Sequence, residues 1–299
     1  MKYNQLGKSA LQVSEIAFGC MSLTKGAADN IRLIHAAMAA GINLFDTADL
    51  YDHGDNERML GEALKDTRRE EVIIATKVGN QWRADKSGWD WNPRKDYIIA
   101  AVEESLRRLH TDYIDLYQLH GGTIEDPVSE TIEAFETLVQ QGKIRYYGIS
   151  SIRPEVIRAY VQQSNIVSVM MQYSLLDRRP EEAALPLLLE HNIGVLARGT
   201  VAKGLLAGKE PASYLNFSAD QVAAAAAAVA RESVPGRGPA ETAIRYVLQQ
   251  PAVSSAVLGI RTDKHLQDAL AADKAPALDE KTIAALSASI PANVYEQYR

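Results

Sequence analysis

A chain of 299 residues has room for two average domains or for one barrel of eight strand–helix units. A net charge of −6 with no Lys/Arg run argues against nucleic acid as a partner, and no apolar run approaches the ~20 residues that a membrane span needs. The first residues hold no long apolar signal segment. The single cysteine, Cys20, has no internal disulfide partner, which fits a cytoplasmic, reducing setting.

Residues 13–19, VSEIAFG, read as a first buried strand. Residues 29–40 place Ile31, Ile34, His35 and Met38 at helical spacing, and Gly41 ends the helix. A strand over 42–45, a short helix over 56–64 and a strand over 72–77 follow. The next helix, 95–109, carries Ile98, Val102, Leu106 and Leu109 on one face. A strand at 114–118 leads to a helix at 128–141, stopped by Gly142, and then to a strand at 143–150. Pro154 suits the first turn of a helix running to about 163. Beyond it lie a strand (167–173), a helix (180–191), a strand (193–199) and helices over 218–232 and 239–249. An eighth strand (253–260) and helices over 263–272 and 279–289 complete the chain. The six alanines 223–228 read as a surface helix of high intrinsic propensity.

Apolar strands alternating with amphipathic helices predict a parallel sheet with helices outside. Eight such units predict a closed (β/α)8 TIM barrel, one domain over 1–299. The competing doubly wound open sheet would want a glycine-rich turn after its first strand, where this chain reads FGCMS.

Three successive strands run from apolar residues into polar ends. LFDTADLY (44–51) delivers Asp46, Asp49 and Tyr51, VIIATK delivers Lys77, and IDLYQLH delivers His120. Taken singly, each has an ordinary reading, as a helix-capping turn or a snorkelling lysine. At the C-terminal mouth of a barrel Asp46, Tyr51, Lys77 and His120 form a site. Asp46 would pair with the Lys77 ammonium, and Lys77 would lower the pKa of the Tyr51 phenol. His120 would orient a substrate oxygen. A tyrosine acid so equipped suits carbonyl reduction, with the electrons coming from a hydride-donating cofactor.

The surrounding residues have structural roles to fill. Asp49, Asp52 and Glu57 are expected to shape the loop and cap the next helix, with Asn56 near its N-cap. His35, His53, His110 and His191 read as surface or satisfied histidines, and without a two-His motif or a cysteine cluster no metal is expected. Cys20 and Met21 end the first strand. Trp82, Trp89 and Trp91 share the polar loop after Lys77 and are expected to wall a pocket; the alternative is a loop folded over its own aromatics.

The stretches LGKSALQVSEIAFGCM, GINLFDTADLYDHGDNERMLGEAL, ATK, SLRRLHTDYIDLYQLH and GKIRYYGIS, in that order and spacing, resemble the aldo-keto reductase family over essentially the whole chain. WDWNP, LHGGTIEDP and YGISSIRPEVI resemble a bacterial group within it. The resemblance implies an NADPH-dependent reductase of aldehydes and ketones, on a (β/α)8 barrel closed at its base by an N-terminal β-hairpin. Its catalytic tetrad would fall on Asp46, Tyr51, Lys77 and His120. The resemblance further implies that Ser150, Ser151 and Gln172 contact the nicotinamide amide, with Arg198 beside the ring. Gly199, Val201, Lys203, Gly204 and Leu205 would follow the pyrophosphate, and Gly259, Arg261, Thr262 and His265 the adenosine phosphate. Ser151 and Ala269 stand where the family commonly has Asn, and Arg198 where it often has an aromatic or small residue. The family reading makes Met21 and the three tryptophans a substrate wall, with Tyr295 and Tyr298 as further candidates. Two other classes are open to such a chain: a cofactor-sensing module, as in potassium-channel β subunits, and an aldolase using Lys77 as a Schiff base, which would want a lowered lysine pKa.

Overall fold

The structure, a computed structural model, describes residues 1–23 and 26–297. It opens with an antiparallel pair, β1 (Tyr3–Gln5) and β2 (Gln12–Ser14). Then come β3 (Ile16–Gly19), β4 (Leu44–Asp46) and β5 (Ile73–Val78), and a second antiparallel pair, β6 (Asn80–Trp82) and β7 (Trp89–Trp91). The remaining strands are β8 (Ile114–Leu119), β9 (Ile144–Ser150), β10 (Ser168–Gln172), β11 (Gly194–Arg198) and β12 (Val253–Gly259). The helices are α1 (Ala27–Ala39), α2 (Asp55–Leu64), α3 (Lys95–Leu109), α4 (Val128–Gln140), α5 (Pro154–Gln163), α6 (Ala184–Glu190), α7 (Ala219–Arg231), α8 (Pro239–Leu248), α9 (Asp263–Lys274) and α10 (Glu280–Ala288).

Strands β3, β4, β5, β8, β9, β10, β11 and β12 are parallel to their neighbours in that order and close into a (β/α)8 barrel. Successive strand residues point to opposite faces, so alternate positions fill the barrel. Leu44, Ile73, Ala75, Leu116, Met170, Leu196 and Val257 pack inside it. Phe45, Ile74, Tyr117, Val169, Val195 and Ala256 face outward into the layer shared with the helices. Two residues further towards the C-terminal end, the inward positions turn polar: Asp46, Lys77, Gln118, Gln172 and Arg198. The strand period that builds the core therefore aims the site.

The N-terminal hairpin closes the base. Leu6, Leu11 and Val13 join the interior cluster from below. Gly7, at φ +53°, lies so close to the starts of β10 and β11 that a Cβ would meet the Val167 carbonyl oxygen at 2.4 Å. Only glycine fits that approach and that dihedral.

Three expectations are corrected. The segment 13–19 is two strands: Ser14 ends the hairpin and Ile16 starts the barrel. Between them, the Glu15 N–H donates to the Lys2 carbonyl, and its buried carboxylate accepts from Arg245 Nη2 at 2.7 Å. The helix expected from 180 begins at Ala184; Arg179–Glu181 is a separate 3-10 turn, with Arg179 held on Asp177. Helix α7 is not simply a surface helix. A Ser218–Gln221 capping box starts it, and Val222, Ala225 and Val229 are buried with Leu205, Leu206, Leu286 and Ile290 in a second apolar cluster.

Candidate active site

Asp46 ends β4, Lys77 is the penultimate residue of β5, and His120 directly follows β8. The Lys77 ammonium is 1% exposed and directs its three N–H bonds to Asp46 Oδ2 (2.8 Å), the Thr47 carbonyl (2.7 Å) and the Tyr51 hydroxyl (3.4 Å). Burial works against the charged lysine, but Asp46 and Tyr51 outweigh it and Lys77 is held above its usual pKa. That direction opposes Schiff-base chemistry at neutral pH.

The Tyr51 ring stands edge-on to His120, with centroids 5.8 Å apart at 81°. Tyr51 opens a tight turn in which Asp52 (φ 49°), His53 (φ 54°) and Gly54 (φ 87°) are all left-handed. Two non-glycine residues in that conformation mark a locally strained segment, and the phenol is placed by it. The expected lowering of the Tyr51 pKa is not what results. Burial raises it more than Lys77 lowers it, so the phenol is a firmly protonated donor. Burial, then Lys77 and Arg198, push His120 down to about 3, which leaves a neutral imidazole at neutral pH. Its Nδ1 is buried without a hydrogen-bond partner among the described residues.

Two neighbours escaped the sequence reading. Thr47 contributes its carbonyl to Lys77, and its hydroxyl donates to Asn56 Oδ1 at 2.7 Å. Gln118 pairs with Lys77 in the β5–β8 ladder and is fully buried; burial pushes the Asp46 carboxyl above its usual pKa, against the opposing pull of Lys77 and then Gln118. The signal for Gln118 was present: it lies one strand period before His120 and one after the inward Leu116. Asn56 and Glu57 are not helix caps. Gly54 is the N-cap residue of α2, without a side-chain bond. Asn56, on α2, donates through Nδ2 to the Cys20 carbonyl (3.0 Å) just after β3 and accepts from Thr47 just after β4, tying the ends of those two strands together. Glu57 is buried between Thr76 and Arg108. Cys20 is also buried, which pushes its thiol pKa up. Asp49 accepts from the Tyr97 hydroxyl at 3.4 Å, and burial, with Glu57 adding, pushes its carboxyl well above the carboxylate range.

Across the mouth, Ser150, Gln172 and Arg198 end β9, β10 and β11. Ser151 follows, buried, with its N–H on the Met170 carbonyl. The Gln172 amide is oriented by its partners. Nε2 donates to Asp177 Oδ2 (2.7 Å) and the Tyr214 hydroxyl (3.1 Å), while Oε1 accepts from Arg198 Nη1 (3.1 Å). Beyond Arg198, Gly199, Lys203 and Gly204 have positive φ in a compact turn. Val201 is half-buried, and the Leu205 side chain turns into the second apolar cluster, so only its backbone faces the loop. Gly259 ends β12 and Arg261 follows it, both exposed, and Thr262 caps α9 by accepting from the His265 N–H at 3.2 Å. Ala269 is buried in the main core.

The tryptophan stretch, expected as a loop, is the β6–β7 ladder, with Trp82 opposite Trp89 and Asn80 opposite Trp91. Trp82 lies on the His53 ring at 3.8 Å and donates to the Leu50 carbonyl at 3.2 Å, bracing the turn that carries Tyr51. Trp91 donates to Asp126 Oδ1 (2.9 Å) and packs over Gly79 and Gly121. Trp89 is 47% and Met21 64% exposed. On the opposite side, a cleft of about 410 Å³ is lined by Ile152, Arg153, Arg179, Leu215, Asn293 and Tyr295, among others. Tyr298 lies outside the described residues. Among the described residues there is no group of three or more His, Cys, Asp or Glu that could hold a metal, and no helix long and apolar enough to cross a membrane.

Residues 15–290 match the Aldo/keto reductase family. The chain is 50% identical to the uncharacterized oxidoreductase YqkF of Bacillus subtilis, with all of both chains covered. It superposes on the aldo-keto reductase AKR11C1 from Bacillus halodurans with a TM-score of 0.94 for the holo form, at 49% identity over 100% of this chain and 99% of that one. The apo form of the same protein gives 0.85 at 46% identity, again over 100% of this chain and 99% of that one. The glycerol dehydrogenase AKR11B4 from Gluconobacter oxydans gives 0.87 at 26% identity, over 100% of this chain and 99% of that one.

Proposed function

The chain belongs to the aldo/keto reductase family, and from that premise we propose that it is an NADPH-dependent reductase of aldehyde or ketone carbonyls, with Tyr51 as the general acid. The observation that carries this reading is the buried Lys77 ammonium, bonded at once to Asp46, Thr47 and Tyr51. It fixes the phenol, which opens the turn beyond β4, beside a neutral imidazole. Tyr51 donates its proton to the carbonyl oxygen as negative charge develops there, and Lys77 stabilises the phenolate left behind. His120, neutral, hydrogen-bonds the same oxygen and aligns it. Asp46 keeps the lysine charged.

The residues facing this tetrad fit a nicotinamide dinucleotide. Ser151 and the oriented Gln172 amide suit a carboxamide. A Cβ on Gly199 would press on Gln172 Cγ at 3.3 Å, so the chain leaves the wall closely there. Thr200 brings a buried hydroxyl, without a hydrogen-bond partner among the described residues, into the adjoining loop. Arg261 is exposed, without an ion pair among the described residues, at the start of α9, where anions are favoured. When bound, the cofactor supplies the hydride that the side chains lack. The Gly199–Leu205 backbone would hold its pyrophosphate, and Gly259, Arg261, Thr262 and His265 its adenosine phosphate. Met21 and the Trp82, Trp89 and Trp91 hairpin would border the carbonyl substrate.

The test is NADPH oxidation across a panel of aldehydes, ketones and dicarbonyls. Turnover of several members is expected. Tight NADPH binding with no turnover of any member would overturn the reductase reading in favour of a sensing module.

A further inference from the structure

Gln118 points into the barrel two residues beyond the inward Leu116 and is fully buried. Neither its Nε2 nor its Oε1 has a hydrogen-bond partner among the described residues. The flanking strands explain why. On β9 its register partner is Gly148, which has no side chain to offer. On β5 its partner is Lys77, whose three N–H bonds go to Asp46, Thr47 and Tyr51. Asp46 is half satisfied in the same way: Oδ2 accepts from Lys77, while Oδ1 is buried without a partner among the described residues. The carboxyl and the amide are close neighbours. Burial holds the Asp46 carboxyl above its usual pKa, and Lys77 and then Gln118 draw it back down. Buried polar atoms left unbonded are costly, and three of them together are what an internal water requires.

We propose that the Gln118 amide and Asp46 Oδ1 hold an ordered water inside the barrel beneath the tetrad, and that through it Gln118 positions the Asp46 carboxylate for Lys77. The positioning role rests on the reductase reading of that tetrad. Nε2 donates to the water oxygen, and the two O–H groups of the water are available to Oδ1 and Oε1. A bridge of this kind is nearly as favourable as a direct hydrogen bond, so it keeps Asp46 ionised to lower pH. Ionised, Asp46 holds Lys77 against Tyr51. Protonated, it would leave the ammonium to the burial that works against its charge. The other titratable groups around Asp46 are Tyr51 from the turn beyond its own strand, Cys20 from the end of β3 and Arg198 from β11, with His120 edge-on to Tyr51 from beyond β8. None of them bonds Oδ1.

Two measurements test this. A high-resolution crystal structure of the wild type, with and without NADP+, should show water within hydrogen-bonding distance of both the Gln118 amide and Asp46 Oδ1. A direct amide–carboxylate bond, or no water between the two, would overturn the site. Gln118→Met keeps the length of the side chain and removes its polar atoms. In that variant the acid limb of kcat/KM for aldehyde reduction by NADPH should move up by about one pH unit, as loss of a hydrogen bond to a charged group implies. An acid limb that stays in place in folded Gln118→Met would overturn the positioning role. A wild type that holds the water yet turns over no carbonyl would overturn the reductase reading and not the site.

Discussion

Replacing Tyr51 by Phe removes one oxygen and little volume from a phenol held at 3.4 Å from Lys77. Reduction should slow by about 10²–10⁴-fold, the usual contribution of a general acid, while NADPH binding changes little. Full turnover of a good aldehyde by that variant would place the proton donor elsewhere. Because burial raises the Tyr51 pKa, the phenol keeps its proton well into the alkaline range, and the reduction rate should fall only as pH rises through that raised value. His120 has the opposite sign. Its folded pKa, about 3, lies below the unfolded 6.5, so between those values the unfolded chain binds a proton that the folded one refuses. Stability should therefore be lost as pH falls from 6.5 towards 3, by up to about 1.4 kcal/mol per pH unit from this group. Urea denaturation of the wild type and His120→Gln at two pH values in that window should give a shallower dependence in the variant. Identical slopes would show that the imidazole titrates normally. Lys77→Met should impair turnover as Tyr51→Phe does and also destabilise, because Asp46 would remain as a buried charge without its partner.

Elements decide how these side chains are presented. The β6–β7 pair is braced at two points, Trp82 against the Tyr51 turn and Trp91 against the loop after His120. Trp89→Ala should alter the ranking among aldehydes of different size, read as kcat/KM, at wild-type stability, since its ring is half exposed. Removing an aromatic contact to substrate is worth about 1–3 kcal/mol. Trp91→Ala should instead lower the melting temperature, because it leaves a gap over Gly79 and Gly121. An unaltered ranking in Trp89→Ala would remove that ring from the substrate wall. At the start of α9, Arg261→Ala should weaken NADPH binding by about ten-fold or more and leave NADH nearly untouched, as loss of a charge-assisted phosphate contact would. Equal losses for the two nucleotides would mean that Arg261 does not read the 2′-phosphate.

Over the whole molecule, stability and chemistry occupy opposite ends of the barrel. At the base, Arg245 Nη2 donates to Glu15 Oε1 (2.7 Å) and to the Asp273 carbonyl (2.6 Å), and Asp273 accepts from the Lys2 N–H (2.9 Å). Arg245→Met would strand the buried Glu15 carboxylate and should cost about 3–5 kcal/mol in chemical denaturation. In native buffer kcat should stay near the wild-type value. A large loss of kcat at unchanged stability would mean that the base is coupled to the mouth.

Composition and period alone were enough for eight strand–helix units, because alternating apolar faces are a local property that survives in the sequence. The switch from apolar to polar at three successive strand ends placed Asp46, Lys77 and His120 as well, because a barrel's site lies at the C-terminal edge of its strands. Tertiary structure decided what no local pattern encodes. It broke 13–19 at Glu15, because the partner of that carboxylate, Arg245, lies 230 residues away in sequence. It made Asn56 and Glu57 braces between strands instead of caps, through Cys20, Thr47, Thr76 and Arg108. It also reversed the expected pKa shift of Tyr51. A nearby lysine can be read from spacing, but desolvation depends on how much of the fold closes over the phenol, and that is a property of the assembled barrel.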